Sequence, residues 1–327
     1  MKIQRSGEMK ERQSQLLFTE RRFKKYVEAY SPFPWEGNKN DPRPSFRNKH
    51  FLLESFGRYL KVFQYFEAFQ RNRVVKSIID VGPYPGVIAR LIKDFGNSEI
   101  EYFGVGLHFD DEYQKAMDRL GARLFATDLD PEFVEAKECK EWPINNADAC
   151  FFLDVIEHLV NPIYCLDQIN KSLKMRGRLI LTTDNISSFA AVYRMMRKGK
   201  SPNVHPLQSS VFYRGEWRPH FKEFSKDHLF FYLQHCGFEV VKHEYFERKQ
   251  GAYNFDENGR IYEKSKYLGT KIGALRKPIV RYFPHLRDHQ IILAEKQTEY
   301  EVNALKRPAV TYSRDEWMKL RTEAKVF

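Results

Sequence analysis

The hydrophobic positions of this chain follow two alternating patterns from residue 74 onward. Short apolar runs of strand length alternate with segments in which apolar residues recur every three or four positions, the spacing of an amphipathic helix. The runs are apolar on both faces, which is typical of strands that helices cover on two sides. These runs are VVKSIID, EYFGVG, ARLFAT, ADACFFLDV, RLILTT, FEVVKHEYF and QIILAEKQ. The pattern predicts an α/β fold with a doubly wound, mostly parallel seven-stranded sheet.

The remaining sequence suggests how the chain is organised around this sheet. Residues 1–73 are rich in charged and aromatic side chains, and helical spacing within 51–69 predicts an N-terminal helical cap. Residues 74–297 form the predicted main domain, with a basic insert at about 249–287 between the last two strands. The polar C-terminal tail, 298–327, is expected to lie on the surface.

Composition and charge limit the class of protein without naming a partner. The 327 residues are 42% hydrophobic and 30% charged, which excludes long disorder and fibrous repeats. The net charge of +11 suits an anionic acceptor, a membrane surface or nucleic acid, and it also suits a solvated basic face without any dedicated partner. No apolar run approaches the roughly 18 residues of a membrane span. The N-terminus has no apolar core of a secretory signal, so we expect a soluble, cytoplasmic protein.

The four cysteines do not form a metal or disulfide pattern. No C-x-x-C pair is present, and Cys150 and Cys165 lie in strongly apolar stretches. We therefore expect them to be small core residues of a protein from a reducing compartment.

A turn containing two glycines follows the first strand of the predicted sheet. Its sequence, 80–86, is DVGPYPG, and the helical pattern VIARLIKDF comes directly after it. Glycines allow backbone N–H groups and a helix N-terminus to approach a ligand closely, and open α/β sheets bind ligands at the carboxyl ends of their strands. A purely structural strand-to-helix turn would have a similar sequence, so the turn by itself does not define a cofactor site.

Acidic and imidazole side chains follow the fourth predicted strand. Asp154, Glu157 and His158 occupy positions i, i+3 and i+4, and a helical turn would project all three from one side over the carboxyl end of the sheet. His220 lies between a polar loop and the next helix, where it can fold back over the same place. Such a group can act as a general base or bind a divalent cation. The simpler interpretation is that Glu157 and His158 hydrogen-bond the loop and cap the helix.

The ordered combination of these motifs resembles the class I S-adenosylmethionine-dependent methyltransferases. The 80–86 turn resembles their D-x-G-x-G-x-G loop, and residues 151–188 and 218–241 resemble their later motifs in the family's order. The resemblance extends over about 74–297 and implies S-adenosylmethionine as the cofactor. It also implies a set of cofactor-binding positions, with Tyr84 at the place of the middle glycine, Asp128 facing the adenine amino group and Asp154 opening the segment that closes the pocket. These positions are Asp80, Gly82, Tyr84, Gly86, Asp128 and Asp154.

Two positions depart from the family pattern. Tyr84 places a bulky side chain where the backbone usually passes close to the cofactor, and Gly106 stands where a carboxylate usually accepts hydrogen bonds from the ribose hydroxyls. Asp110 or Asp111 can reach toward the ribose, although residues at an exposed helix start are more often caps. These departures leave a non-catalytic, cofactor-binding relative as an alternative.

The sequence most resembles methyltransferases from bacterial polysaccharide and secondary-metabolite clusters, and the O-methyltransferases of ubiquinone biosynthesis. This resemblance implies O-methylation of a hydroxyl on a small-molecule or glycan-precursor acceptor. The basic insert suits an anionic or lipid-linked acceptor, but its prolines favour a long connection whose apolar side packs on the sheet. Glu157, His158 and His220 are the expected catalytic residues. The acceptor pocket is expected to include Tyr213, Trp217 and Arg218.

A nucleic-acid enzyme is the other candidate. The D-x-x-E-H motif with a later H-F resembles the E-x-x-E-H and distant histidine of the small-RNA 3′-terminal 2′-O-methyltransferases. That resemblance implies metal-assisted RNA ribose 2′-O-methylation, with a divalent ion such as Mg²⁺ at Asp154, Glu157, His158 and His220. Scattered basic residues and the lack of a recognised RNA-binding module in the sequence count against it.

Overall fold

The computed structural model describes residues 18–30, 50–71, 73–95, 99–129, 142–199, 220, 222–248, 252–263 and 271–299. The helices are α1 (Glu20–Ala29), α2 (His50–Glu54), α3 (Phe56–Gln70), α4 (Val87–Phe95), α5 (Asp111–Arg119), α6 (Pro162–Ser172), α7 (Phe189–Lys198), α8 (Lys226–His235) and α9 (Lys271–Tyr282). The strands are β1 (Ser77–Val81), β2 (Glu101–Gly106), β3 (Ala122–Ala126), β4 (Ala147–Leu153), β5 (Leu173–Asp184), β6 (Phe238–Phe246), β7 (Tyr253–Phe255), β8 (Ile261–Glu263) and β9 (His289–Lys296). Short 3₁₀ helices span Ile156–His158 and Pro284–Leu286. None of the helices described has both the length and the apolar character that crossing a membrane requires.

Seven strands form one sheet in the order β3-β2-β1-β4-β5-β9-β6. The pairs β1–β2, β1–β4, β2–β3 and β4–β5 are parallel. Along β4 every residue except the last is buried, as expected for a strand that is covered on both faces. The predicted α/β architecture and its seven-stranded sheet are therefore confirmed.

The core around the sheet combines apolar strand residues with apolar residues of the helices that cover it. Ile79 and Val81 of β1 belong to the same buried cluster as Phe152 of β4 and Leu181 of β5. Cys150, Cys165 and Cys236 are buried free thiols, as predicted for small core residues.

Polar residues set where several helices begin. The Asp110 side chain accepts a hydrogen bond from the Tyr113 N–H at the start of α5, and Ser188 does the same for Ala191 at the start of α7. Ser225 begins α8 with a reciprocal capping box. Each cap satisfies a backbone donor that the first turn of a helix leaves without a partner.

The contacts divide the chain into two compact units. The first unit contains the described residues up to Val74 together with Tyr245–His289, and the second contains Val75–Glu244 and the described residues from Gln290 onward. The first unit therefore combines α1–α3 with the β7–β8 hairpin and α9. Within it, the Phe56 and Tyr253 ring centroids lie 4.7 Å apart, and the Tyr253 hydroxyl donates to Glu20 over 2.9 Å.

Candidate active site

Three neighbouring parallel strands end at the same edge of the sheet. In the order β1-β4-β5, these strands are followed by the glycine turn, by the segment 154–158 and by Asn185. Because carboxyl ends of parallel strands meet at one edge, the sequence-distant groups that follow them become neighbours. This edge is the candidate active site.

The glycine turn is compact and closely packed against the acidic segment. Gly82 and Gly86 have φ values of +72° and +86°, which glycine adopts without the steric cost that a side chain imposes. A Cβ atom on Gly82 would lie 2.6 Å from Cγ2 of Val155, so this position has no room for a side chain. The turn thus lies directly against the segment that contains Glu157 and His158, and it leads into the N-terminus of α4.

Asp80 and Tyr84 lie at the base and on the outer side of this turn. Asp80 is buried, and one of its carboxylate oxygens accepts a hydrogen bond from the Tyr102 hydroxyl over 2.5 Å. The Tyr84 side chain is 38% exposed, and its ring centroid lies 5.4 Å from that of Tyr113 on α5.

An aromatic side chain lies beside Gly106, the position at the end of β2 where the family usually has a ribose-binding acid. A Cβ atom on Gly106 would lie 3.0 Å from Cζ of Phe109, whose ring stacks on Tyr113 with the centroids 5.7 Å apart. Asp110 accepts from the Tyr113 N–H over 2.8 Å and caps α5. Asp128 is half-buried just beyond the end of β3.

The segment after β4 does not place Asp154 in the same helical turn as Glu157 and His158. Asp154 has a φ of +53°, and its N–H donates to the Thr182 carbonyl over 3.0 Å. Its Oδ1 atom accepts from the Thr182 hydroxyl over 2.7 Å. The chain then forms the 3₁₀ helix Ile156–His158, so Asp154 is bound to β5 while the next two polar residues lie on the turn.

Glu157 is a buried carboxyl group with one oxygen available. Its side chain is 1% exposed, and Oε2 accepts from the Thr183 hydroxyl over 2.8 Å. Among the residues that the structure describes, no hydrogen-bond donor meets Oε1. Burial raises the pKa of Glu157 well above its ordinary value, and the charges of Asp154 and Asp184 raise it further. Ionisation of Glu157 is therefore less favourable than that of an exposed glutamate.

His220 lies beside His158 although 62 positions separate them in the chain. Their ring centroids are 4.7 Å apart in an edge-to-face arrangement, and Nδ1 of His220 lies 3.4 Å from Oδ2 of Asp184. The structure thus brings together the three residues Glu157, His158 and His220, whose ligand atoms all lie within 4.8 Å of one another.

Backbone hydrogen bonds hold the segment after His220 against the ends of β4 and β5. The Lys222 N–H donates to the Glu157 carbonyl over 3.2 Å. The Phe224 carbonyl accepts from the Ile186 N–H over 3.3 Å and from Gln290 Nε2 over 2.8 Å. The position of His220 therefore depends on contacts with three separate strand ends.

Two acidic residues that the sequence interpretation left out also belong to this edge. Asp184, His220 and Glu223 form a second group whose ligand atoms lie within 4.8 Å of one another. Asp184 is the last residue of β5, and Glu223 follows His220 by three positions. The available signal was the polar end of the fifth predicted strand, TTDN, which the sheet order places next to β4.

A family model described as a methyltransferase domain matches residues 51–243, more than half of the chain. This chain belongs to that methyltransferase family. The matched region includes the glycine turn, the segment 154–158 and His220. Among curated proteins, none matches this methyltransferase significantly.

Solved structures similar to the methyltransferase share little sequence with it. A chain from a Haloferax volcanii complex that contains the Trm112 methyltransferase activator has 12% identity and a TM-score of 0.49, covering 84% of this chain and 98% of its own. A SAM-dependent methyltransferase from Archaeoglobus fulgidus has 18% identity and a TM-score of 0.44, covering 76% and 99%. The 1,6-didemethyltoxoflavin-N1-methyltransferase of Burkholderia thailandensis, bound to 1,6-didemethyltoxoflavin and S-adenosylhomocysteine, has 14% identity and a TM-score of 0.43, covering 73% and 77%.

Part of the predicted acceptor pocket of the methyltransferase lies outside the residues that the structure describes. Tyr213, Trp217 and Arg218 lie outside the described residues, as does most of the predicted tail. The basic insert is described only at 252–263 and from Lys271 onward.

Proposed function

We propose that this methyltransferase transfers the methyl group of S-adenosylmethionine to a hydroxyl oxygen of a small molecule or saccharide precursor. The supporting observation is the buried carboxyl of Glu157 beside two imidazoles, in a segment that packs directly on the glycine turn through Val155 and Gly82. A hydroxyl is a poor nucleophile until its proton is removed or polarised, and this group offers both means of activating one.

The carboxyl edge of the sheet has groups suited to the methionine and adenine parts of the proposed cofactor. The turn from Gly82 to Gly86 leads into the N-terminus of α4, and this helix start together with the buried Asp80 suits the methionine moiety. Asp128 supplies an acceptor for the adenine amino group. On the ribose side, the Phe109 ring offers an apolar surface in place of a carboxylate. When bound, S-adenosylmethionine supplies an electrophilic methyl carbon on a positively charged sulfur.

The three residues at the acceptor position take different roles. Because its raised pKa favours the protonated form, Glu157 serves as a hydrogen-bond donor that orients the acceptor oxygen. His220 is then the better proton acceptor, with the Asp184 carboxylate 3.4 Å from its Nδ1 atom to stabilise the imidazolium that forms. His158 packs edge-on against this ring and fixes its orientation.

Calorimetry and a transfer assay test the proposal together. Titration of the purified protein with S-adenosylmethionine and S-adenosylhomocysteine should give one binding site. Incubation with methyl-labelled S-adenosylmethionine and a panel of hydroxylated small molecules and sugar precursors should give labelled, base-stable ethers. His158→Ala and His220→Ala should abolish transfer while binding of S-adenosylhomocysteine stays unchanged, and His235→Ala on α8 is the matched control.

Other outcomes would replace this assignment. Full activity in both histidine variants would place the chemistry elsewhere, and binding of neither cofactor form would favour a non-catalytic relative. Labelling of the terminal ribose of a short RNA, with binding that weakens steeply as salt increases, would change the acceptor class.

A further inference from the structure

The Phe109 ring occupies the space that a side chain at position 106 would need. A Cβ atom on Gly106 would lie 3.0 Å from Cζ and 3.3 Å from Cε1 of Phe109, which is closer than ordinary van der Waals contact. A carboxylate side chain at this position would therefore require the ring to move. The end of β2 has an aromatic ring in the place where the methyltransferases that it resembles usually have an acid.

Neighbouring rings hold Phe109 beside the glycine turn. Its ring stacks on Tyr113, which is 1% exposed, with the two planes only 11° apart. The Tyr113 ring in turn contacts Tyr84 of the glycine turn, with the centroids 5.4 Å apart. Pro83 of the same turn would lie 3.6 Å, through its Cδ atom, from a Cβ atom on Gly106. The glycine turn and the Phe109 ring thus belong to one packed cluster at the carboxyl edge.

The carboxylates that follow Phe109 in the chain are accounted for by the start of α5. Asp110 accepts a hydrogen bond from the Tyr113 N–H over 2.8 Å and caps the helix. Asp111 and Glu112 are exposed in the first turn, where negative charge interacts favourably with the helix dipole. The positions of these three acids therefore follow from the helix and require no ligand.

We propose that this methyltransferase recognises the ribose of S-adenosylmethionine through contact with the Phe109 ring and not through the ribose hydroxyl groups. The inference rests on the proposed function, because it concerns how the same cofactor is held. An aromatic ring contacts sugar carbons by dispersion, and it lacks the oxygen atoms with which a carboxylate accepts hydrogen bonds from hydroxyls. The 2′ and 3′ hydroxyls then keep their hydrogen bonds to water when the cofactor binds.

This arrangement predicts an unusual tolerance toward the cofactor's sugar. A site built to hydrogen-bond a ligand hydroxyl rejects the analogue that lacks it, because a polar group of the site loses its partner. The Phe109 ring has no polar group that could be left in this way. The protein should therefore bind forms of the cofactor without a 2′ or a 3′ hydroxyl nearly as tightly as the natural form.

Calorimetric titration of the full-length wild-type protein tests this tolerance without any substitution. S-adenosylhomocysteine is compared with its 2′-deoxy and 3′-deoxy analogues, and we expect the three dissociation constants to agree within about threefold. Loss of a hydrogen bond to a carboxylate would instead weaken binding by about tenfold or more. A loss of more than about threefold for either analogue would overturn the inference while leaving the proposed function intact. Absence of S-adenosylhomocysteine binding would overturn both together.

Two variants test the part that the ring itself plays. Phe109→Ala should weaken S-adenosylhomocysteine and its 2′-deoxy analogue equally, by about twofold to tenfold. Phe231→Ala, which removes an exposed ring from α8, is the matched control and should change neither constant. Gly106→Asp combined with Phe109→Ala puts a carboxylate in the place of the ring. This double variant should bind S-adenosylhomocysteine about tenfold more tightly than the 2′-deoxy analogue.

The variants also give results that would contradict the inference. Unchanged affinity for S-adenosylhomocysteine in folded Phe109→Ala would show that the ring does not contact the cofactor. A larger loss for S-adenosylhomocysteine than for its 2′-deoxy analogue in the same variant would show that the hydroxyls are recognised in the wild-type protein. Circular dichroism of each variant establishes that it is folded, and the wild-type comparison decides the matter where a variant is not.

Discussion

Two requirements favour glycine at position 82: a backbone conformation with positive φ and the lack of space for a side chain. Their contributions to stability can be measured separately. Gly82 and Gly121 have almost the same positive φ, +72° and +75°, but only Gly82 has a neighbour where a Cβ atom would be. Gly121→Ala should therefore cost only the backbone strain, about 1–2 kcal/mol of unfolding free energy. Gly82→Ala should cost about 1–3 kcal/mol more, because its methyl group meets Val155, and it should weaken S-adenosylhomocysteine binding. Denaturant unfolding and calorimetry measure both effects, and equal losses in the two variants would contradict the packing argument.

Asp148 is a buried acid whose charge stabilises the start of β1. Burial alone would raise the pKa of Asp148, but hydrogen bonds from Lys174 and from the N–H groups of Lys76 and Ser77 outweigh it and lower the pKa. A group with a lowered folded-state pKa contributes stability above its unfolded pKa and loses it as pH falls through the folded value. Stability should thus decrease progressively below about pH 4.

Asp148→Asn isolates this contribution. The variant should lose about 1–3 kcal/mol of unfolding free energy at neutral pH, because an amide is a weaker acceptor for the Lys174 ammonium. It should also show a shallower decrease in stability on acidification than the wild-type protein. Exposed Asp118→Asn is the control, and identical acid slopes in all three proteins would exclude Asp148 as the cause.

At the scale of secondary-structure elements, Lys296 links the last strand of the sheet to the end of a helix. Its ammonium group is 1% exposed on β9 and donates to the carbonyls of Asn170 and Leu173, over 2.7 and 2.8 Å, where α6 ends. The Asn170 carbonyl also accepts from the Leu173 N–H, so the ammonium is an additional donor at this helix end. A cation also interacts favourably with the negative end of the helix dipole.

Replacing Lys296 should therefore lower the unfolding free energy of the protein. Lys296→Met keeps the aliphatic volume but removes the ammonium donor from the two carbonyls and from its pair with Glu299, so we expect a loss of about 2–4 kcal/mol of unfolding free energy. Arg123→Gln, which removes the exposed pairing with Glu101 between β3 and β2, should cost less than about 1 kcal/mol. Denaturant titration of both variants measures these losses. A small loss of unfolding free energy in Lys296→Met would contradict the capping role.

The sequence predicts long, strongly patterned elements better than short or topology-dependent ones. All seven strands of the main sheet follow from the predicted runs. The strands β1, β4 and β9 are buried along most of their length, whereas the edge strands β3 and β6 are partly exposed. The helix predicted over 51–69 is interrupted at Ser55, which separates α2 from α3. The β7–β8 hairpin has only three residues per strand, too few for a periodic signal. Its turn, in which Asp256 accepts from the N–H groups of Asn258 and Arg260, was the available local cue.

In the candidate site too, some residues can be identified from a local motif, whereas others become neighbours only through the order of the strands. Glu157 and His158 stand out because they follow a strand in one motif. Asp184 and Glu223 approach them only because β5 pairs with β4 and the Lys222 N–H donates to the Glu157 carbonyl. Convergence of this kind depends on strand order, which one sequence does not specify by spacing alone.

At the scale of the whole molecule, stability should depend on pH through the first unit. Glu247 and Asp288 both pair with Arg276 there. Burial raises the pKa of Glu247 to about 7, with a further contribution from the Asp288 charge. A raised folded-state pKa gives stability that is full below the unfolded value, 4.5, and is lost as pH rises through about 7.

Glu247→Gln tests this dependence in the full chain. Thermal unfolding of the wild-type protein should shift to lower temperature as pH rises from about 5 to about 7.5, and the variant should lose most of that shift. Exposed Glu257→Gln, in the β7–β8 turn, should keep it. A pH profile that is the same in all three proteins would show that Glu247 does not titrate in this range.

The place of β9 in the sheet affects how the protein can be made on the ribosome. β9 follows every other strand in the chain, yet it lies between β5 and β6. Until translation has passed Lys296, nascent β5 and β6 both lack the neighbour that hydrogen-bonds between them. Unpaired strand edges invite association with other chains, so the newly synthesised polypeptide exposes two such edges over that interval.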